Sequence, residues 1–226
     1  MERAGLRRWH IRLGWLAAIP VLLWIISGLV MVARPIETVR GEGLLRDAAP
    51  VRLAGPPIPP SLTGVNLTSL SLEQRAVGPR WVVKLPDGKV RLADPLTGLY
   101  LPALSAADAR QEVQARYAGT GRVASVTRTR PEDPPLDLRR PLATWQVTMD
   151  DGTHFFVDAV SGQIVATRTR WWRFYDFMWG LHILDPGGRE DAHNPFIIVL
   201  AIGALAMAVL GAMTLPMTLR RKRKGL

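Results

Sequence analysis

The sequence contains no cysteine among its 226 residues. Disulfide bonds, iron–sulfur clusters held by thiolates and haem attached through a Cys-x-x-Cys-His motif are therefore excluded. Histidine is scarce as well, with four residues, and no His-Glu-x-x-His zinc motif occurs. No grouping of serine, histidine and carboxylate is indicated, so the pattern does not favour a hydrolytic enzyme.

Charge is missing from two long stretches. No charged side chain lies between Arg12 and Arg34, and none lies between Asp191 and Arg220. Each stretch provides the roughly 20 residues that a helix needs to cross a bilayer. The sequence therefore predicts transmembrane helices over residues 13–33 and 195–217. The first run is longer than the core of a cleaved signal peptide, roughly 7 to 15 residues, which favours an uncleaved anchor over that alternative.

Basic residues cluster at both ends of the chain, over residues 1–12 and 218–226, and the net charge is +10. Positive charge next to a membrane helix marks its cytoplasmic side. Both termini are therefore predicted to be cytoplasmic, with the middle of the chain outside. If the host is a Gram-negative bacterium, the middle is periplasmic and the helices lie in the bacterial inner membrane. Orientation accounts for the excess charge, so no nucleic-acid partner is indicated.

Three regions are predicted between the membrane helices. Residues 34–60 are rich in proline and glycine, which predicts an extended arm or linker outside the membrane. Residues 61–170 have the strand, turn and helix signals of an α+β domain. Residues 171–194 carry tryptophans, a tyrosine and histidines next to the second apolar stretch, which indicates a segment at the membrane interface.

An internal repeat organises the α+β domain. The segment from Trp81 to Gly98 aligns without gaps to the segment from Trp145 to Gly162, at an offset of 64 residues (145 − 81). Each copy has the pattern of a strand, an Asp-Gly hairpin, a second strand and an Asp-x-x-x-Gly turn, so the aspartates and glycines are interpreted as turn residues. A capping box at Ser105 predicts a helix between the copies, followed by a strand over 122–130. The predicted fold class is α+β, with antiparallel sheets between two membrane helices.

Histidines mark both predicted membrane faces. His10 and Gly14 are four residues apart and so share one helix face, where the glycine leaves room beside the imidazole. His182 and His193 flank the Pro186-Gly187-Gly188 turn before the second membrane helix. An interfacial histidine beside a packing glycine is the alternative reading of the first pair. His154, on a predicted hairpin strand, is interpreted as an exposed strand residue.

The chain resembles the PepSY domain and PepSY-associated transmembrane-helix family of bacteria. The residues that carry this resemblance are the helix starting Ser105-Ala-Ala-Asp-Ala, the hairpin from Trp145 to Val165, the His10-x-x-x-Gly14 motif and Leu181-His182. With the flanking apolar helices they cover most of the chain outside the arm. The family includes inhibitory propeptide modules and haem-containing reductases of ferric iron and ferrisiderophores.

The resemblance implies non-covalent haem b, with His10 and His182 as axial ligands on the cytoplasmic and periplasmic sides. His193 is either a second periplasmic ligand or an interfacial residue. Arg12 and Arg189 are candidate partners of the haem propionates, or residues that face lipid headgroups. About 30 Å of hydrocarbon separates the two faces, so one iron cannot bind both His10 and His182. Each iron then needs either one histidine from each of two subunits, as in a homodimer, or the His182 and His193 pair on the periplasmic side with an open or symmetric site on the cytoplasmic side.

Two functions are implied. The first is electron transfer from a cytoplasmic or quinone donor to ferric iron or a ferric chelate, in support of iron uptake. The second is a non-catalytic, membrane-anchored module that binds a periplasmic protease or envelope protein through exposed sheet edges.

Overall fold

A computed structural model of the protein describes residues 3–223, apart from the side chains of residues 3–7, 10, 13 and 214–223. The chain divides into two compact units. The helical unit comprises Met1–Pro35 and Phe174–Leu226, and the β unit comprises Ile36–Arg173. The helices are α1 (Arg3–Val32), α2 (Ile36–Arg40), α3 (Ala106–Arg116), α4 (Arg170–His182) and α5 (Pro195–Arg223). The strands are β1 (Ser69–Arg75), β2 (Gly78–Lys84), β3 (Val90–Ala93), β4 (Val123–Arg128), β5 (Thr144–Met149), β6 (His154–Asp158) and β7 (Ile164–Arg168).

The helical unit is built on α1 and α5, which contact each other. A Cβ atom placed on Gly14 of α1 would lie 3.6 Å from the Cε atom of Met207 of α5. Two segments have the length and composition of a membrane span, Gly14–Val32 and Pro195–Met213, and their outer surfaces are apolar and exposed. The prediction of two long apolar helices is confirmed, with both observed helices longer than the predicted spans.

The β unit contains two antiparallel sheets, ordered β1-β2-β3 and β4-β5-β6-β7. The internal repeat is visible in the strand register. Trp81 pairs with Ala93 in the first sheet, and Trp145 pairs with Val157, each residue shifted by 64, in the second. Both indoles also donate a hydrogen bond to a backbone carbonyl that precedes the strand. The two copies therefore have the same local fold.

The repeated aspartates and glycines are turn residues, as predicted. The Oδ1 atom of Asp94 accepts hydrogen bonds from backbone amides two and three residues later, and Asp158 does the same in the second copy. Gly98 and Gly162 end these turns with φ angles of 71° and 69°, a conformation that favours glycine.

Helix α3 covers one face of the four-stranded sheet. The side chain of Ser105 accepts a hydrogen bond from the amide of Asp108, and Asp108 bonds back to the amide of Ser105, which completes the predicted capping box. The predicted stripe of Ala109, Val113 and Tyr117 is buried. These three residues pack in the main core of the unit together with Val147, Met149, Phe155 and Val157.

The opposite face of the same sheet is covered by the loop between β4 and β5. Phe156 points to this side and packs with Leu138 of the loop and Ala166 of β7. His154 is not the exposed strand residue that the sequence predicted, because its Nδ1 atom lies 2.9 Å from Asp137 Oδ2. Its side chain is only 20% exposed.

The arm over residues 34–60 is not extended throughout, contrary to the prediction. Helix α2 occupies Ile36–Arg40, a 3₁₀ turn follows over Glu42–Leu44, and Val39 is buried. Leu45 forms an isolated β bridge with Tyr117. The start of the arm is therefore part of the β unit, because apolar side chains between its glycines pack on the core.

Candidate functional site

His182 is the last residue of α4, a helix that the sequence analysis described only as an aromatic segment. The helix ends through a left-handed residue, Leu184, with a φ angle of 56°. The amide of Asp185 then donates to the carbonyl of Gly180 over 2.9 Å, which satisfies a carbonyl in the last turn. This local geometry fixes the position of the His182 backbone.

The His182 imidazole lies against α1, where it contacts three residues. Its ring stacks on the Trp24 indole, with ring centroids 5.1 Å apart and planes inclined by 12°. The Nδ1 atom is 3.1 Å from Ser27 Oγ and 3.1 Å from the Trp24 carbonyl oxygen. A Cβ atom on Gly28 would lie 3.2 Å from His182 Cε1, so glycine permits this close approach. We call Trp24, Ser27, Gly28 and His182 the His182 site.

The His182 site lies near the C-terminal end of the apolar segment of α1. Gly28 precedes Val32, the last residue of that segment, by four residues, which corresponds to about 6 Å along a helix. Ser27 is only 1% exposed although its side chain is polar. A buried polar side chain in an apolar segment requires hydrogen-bond partners, and Trp24 and His182 provide them.

A tightly bonded loop connects α4 to α5. Asp185 accepts hydrogen bonds from the amides of Gly188, Glu190 and Asp191. The bonds from Glu190 and Asp191 contribute most to lowering the pKa of Asp185 below its ordinary value. Asn194 begins α5 by accepting from two amides of its first turn, and its side-chain amide donates to the carbonyl of Ile183. The start of α5 is thus bonded to the residue after His182.

Arg189 has a structural partner in this loop. Its Nη1 atom lies 2.8 Å from Asp176 Oδ2, and the Asp176 side chain is only 6% exposed. Its carbonyl accepts a hydrogen bond from the Trp179 indole. The predicted role of Arg189, as a propionate partner or a headgroup residue, is not tested by these contacts. Its guanidinium forms an ion pair with the buried carboxylate of Asp176 on α4.

The other predicted site residues are not brought to His182 by the described contacts. His193 is exposed, and its backbone amide donates to Asp191 Oδ1. Arg12 is exposed on α1. Gly14 faces Met207 of α5. The side chain of His10 lies outside the described residues, so the predicted space beside its imidazole is not tested.

The part of the chain that the structure describes contains no group of three or more histidine, aspartate and glutamate residues placed to hold a metal ion. Two surface cavities of about 370 and 280 Å³ lie in the β unit and include none of the predicted site residues. The His182 site is therefore the place where the structure gives a predicted histidine a defined environment.

His182 was predicted as a site residue from the sequence, whereas its neighbours Trp24, Ser27 and Gly28 were not. Ser27 is the one serine inside the first apolar stretch, and a polar residue there is a usable signal. Trp24 and Gly28 resemble ordinary membrane-helix residues, so only the contact with α4 shows their role. Asp176 and Asn194 were missed as well, because each is bonded to a residue at the other end of the loop. Asp176 pairs with Arg189, and Asn194 bonds to Ile183.

No family model, curated protein or solved structure matches this chain. The His182 site is therefore interpreted on its own geometry.

Proposed function

We propose that this chain is a bacterial inner-membrane protein that binds haem b through His182 at the periplasmic face and transfers electrons to ferric iron or a ferric chelate. The placement of His182 carries the proposal. A histidine held by a stacked indole, a buried hydroxyl and a glycine on an apolar helix has the environment of a cofactor ligand.

The two apolar segments support this proposal. Gly14–Val32 and Pro195–Met213 are each 19 residues long and consistently apolar, and basic residues precede the first segment and follow the second in the sequence. Both termini are then cytoplasmic, and the β unit and the His182 site are periplasmic. A periplasmic ferric chelate can reach a site at that face without crossing the membrane.

The donor set fits haem iron. Neutral imidazole is a common ligand of iron, and the Nδ1 atom of His182 is already occupied by contacts within the chain. The Nε2 atom makes no hydrogen bond described by the structure. Haem b, when bound, supplies a one-electron carrier. The chain would hold it through His182, while Trp24 and Gly28 set the orientation of the ring.

The distance between the predicted ligands favours a homodimer. His10 and Gly28 are 18 residues apart on α1 (28 − 10), which corresponds to about 27 Å along the helix. One iron therefore cannot bind both His10 and His182 of one chain. A second copy would supply the other histidine at each face, and the small residues of α5 such as Gly203, which has open space beside it, permit close helix approach.

The overall reaction moves one electron from a cytoplasmic or quinol donor to Fe³⁺ and gives Fe²⁺. The chain would position His182 as the ligand and exclude water through its apolar helices. It would present the polar loop between α4 and α5 at the periplasmic face. The purple-red colour of a b-type haem protein makes the proposal simple to test.

The test is the absorption spectrum and haem content of the full-length protein purified from haem-replete cells. We expect b-type bands on reduction, with bound haem decreasing at least by half in His182→Ala. His154→Ala is the matched control, because His154 is paired with Asp137 in the β unit, and it should retain haem. A colourless wild-type protein, or equal haem in His182→Ala and the control, contradicts the proposal.

A second candidate function is favoured by strand β4. This strand forms an edge of the four-stranded sheet, and four of its six residues are exposed. An extended segment of a periplasmic protease or envelope protein can add to such an edge. Replacement of Ser125 by proline would block the pairing, and loss of partner binding with haem unaffected would favour this function.

A further inference from the structure

The protonation of His182 follows from its contacts with α1. Nδ1 lies 3.1 Å from the carbonyl oxygen of Trp24. A carbonyl oxygen only accepts hydrogen bonds, so a nitrogen at this distance donates one. In the neutral ring the proton is then on Nδ1, and the lone pair is on Nε2.

The side chain of Ser27 reinforces this arrangement. Its hydroxyl donates to the same Trp24 carbonyl over 2.9 Å, so its oxygen is left to accept from His182 Nδ1 at 3.1 Å. The opposite tautomer would place the Nδ1 lone pair against the carbonyl lone pairs. Ser27 is 1% exposed, so water does not compensate for such a mismatch.

We propose that Ser27 is a positioning residue that, with the Trp24 carbonyl, keeps the His182 proton on Nδ1 and leaves the Nε2 lone pair available to bind a metal ion. Hydrogen bonds of this kind fix the ring orientation and tautomer of metal-bound histidines. The inference rests on the proposed function for its purpose, but its first test does not require haem.

The test uses full-length protein with ¹⁵N-labelled histidine in lipid nanodiscs, without haem, at a pH where the rings are neutral. Two-bond ¹H–¹⁵N correlation spectra distinguish the two tautomers, and the His182→Ala spectrum identifies the His182 signals. We expect the proton on Nδ1. A proton on Nε2 in the wild-type protein would overturn the inference.

Ser27→Ala tests the role of the hydroxyl. Loss of one neutral hydrogen bond should lower the ratio of the Nδ1-protonated to the Nε2-protonated ring by about two- to ten-fold. His193 is the internal control, because its side chain is exposed and its signals should not move. An unchanged His182 ratio in Ser27→Ala, with the wild-type tautomer as expected, would assign the effect to the Trp24 carbonyl alone and refute the role of Ser27.

A second measurement separates this inference from the proposed function. If haem binds, Ser27→Ala should retain it. The reduction potential and the absorption spectrum of the bound haem should shift, because the hydrogen bond at Nδ1 sets the basicity of Nε2. If no haem binds, the proposed function fails while the tautomer measurement still stands. If haem binds but the haem-free His182 ring is protonated on Nε2, the proposed function is supported and the tautomer inference fails.

Discussion

At the scale of single residues, one glycine decides how closely α4 approaches α1. The spacing of His10 and Gly14 within one helix predicts space beside a histidine at Gly14. The structure gives a comparable space to Gly28, which lies beside His182. Spacing along one helix is visible in a sequence, whereas a contact between residues 154 positions apart (182 − 28) depends on tertiary packing.

Gly28→Ala and Gly14→Ala form a matched pair that tests this contact. Both changes gain similar helix propensity, about 1 kcal/mol. The new Cβ at position 28 would lie 3.2 Å from the imidazole, while that at position 14 would meet the flexible end of Met207 at an ordinary 3.6 Å. We expect Gly28→Ala to be less stable than Gly14→Ala by about 1–3 kcal/mol.

The measurement is thermal unfolding of both full-length variants in nanodiscs, together with the His182 ring signals. The ring signals should shift in Gly28→Ala and not in Gly14→Ala. Equal stability and equal ring signals in the two variants would show that the His182 site accommodates a methyl group at position 28 without strain.

At the scale of elements, the hairpins were predictable and their coverings were not. The repeated hairpins were predictable from their Asp-Gly turns and strand pattern, because local backbone preference determines such hairpins. Phe155 and Phe156 are both fully buried, on opposite faces of β6. Two adjacent apolar residues do not reveal what covers each face. The chain just after the proline-rich residues 131–135 covers Phe156 through Leu138.

The Asp137–His154 pair attaches this loop to the sheet, and its effect depends on pH. Burial alone would raise the pKa of Asp137, but the hydrogen bond from His154 and the charges of His154, Arg173 and Arg168 outweigh burial and lower it below 3.8. A lowered carboxyl pKa contributes stability above the unfolded-state pKa, and this contribution is lost as the pH falls through the folded-state pKa.

We therefore expect Asp137→Asn to destabilise the protein near pH 7 by about 1–2 kcal/mol, the lower part of the range for a hydrogen bond to a charged group. The difference from wild type should persist down to about pH 4 and decrease below it. Thermal unfolding of both proteins from pH 3 to 7 provides the check. A difference as large at pH 3 as at pH 7 would rule out this assignment.

At the scale of the whole molecule, composition predicted the division into apolar helices and a polar middle region, because a bilayer constrains length and charge strongly. The distribution of residues between the two units was less predictable. The segment 171–194 was expected to be a single interfacial region, and α4 instead begins in the β unit and ends in the helical unit. No local signal distinguishes Arg173 from Phe174 as the boundary, since both lie within one helix.

The proposed topology can be tested directly, because the chain has no native cysteine. Leu99→Cys introduces a thiol at a site that is 68% exposed in the β unit, and Leu226→Cys introduces one at the end of the basic tail. In intact spheroplasts, a membrane-impermeant maleimide should label only Leu99→Cys, with Leu226→Cys labelled after permeabilisation. The opposite pattern would reverse the orientation.

The long sequence separation within the His182 site also sets a time order for biogenesis. Ser27 and His182 are 155 residues apart, so α1 is complete long before its partner exists. At about 5–20 residues per second, ribosomes need about 8 to 30 s to synthesise the intervening chain. A ligand that requires these contacts therefore binds only a chain synthesised at least as far as α4. Cofactor occupancy would then distinguish completed molecules from chains interrupted within the β unit.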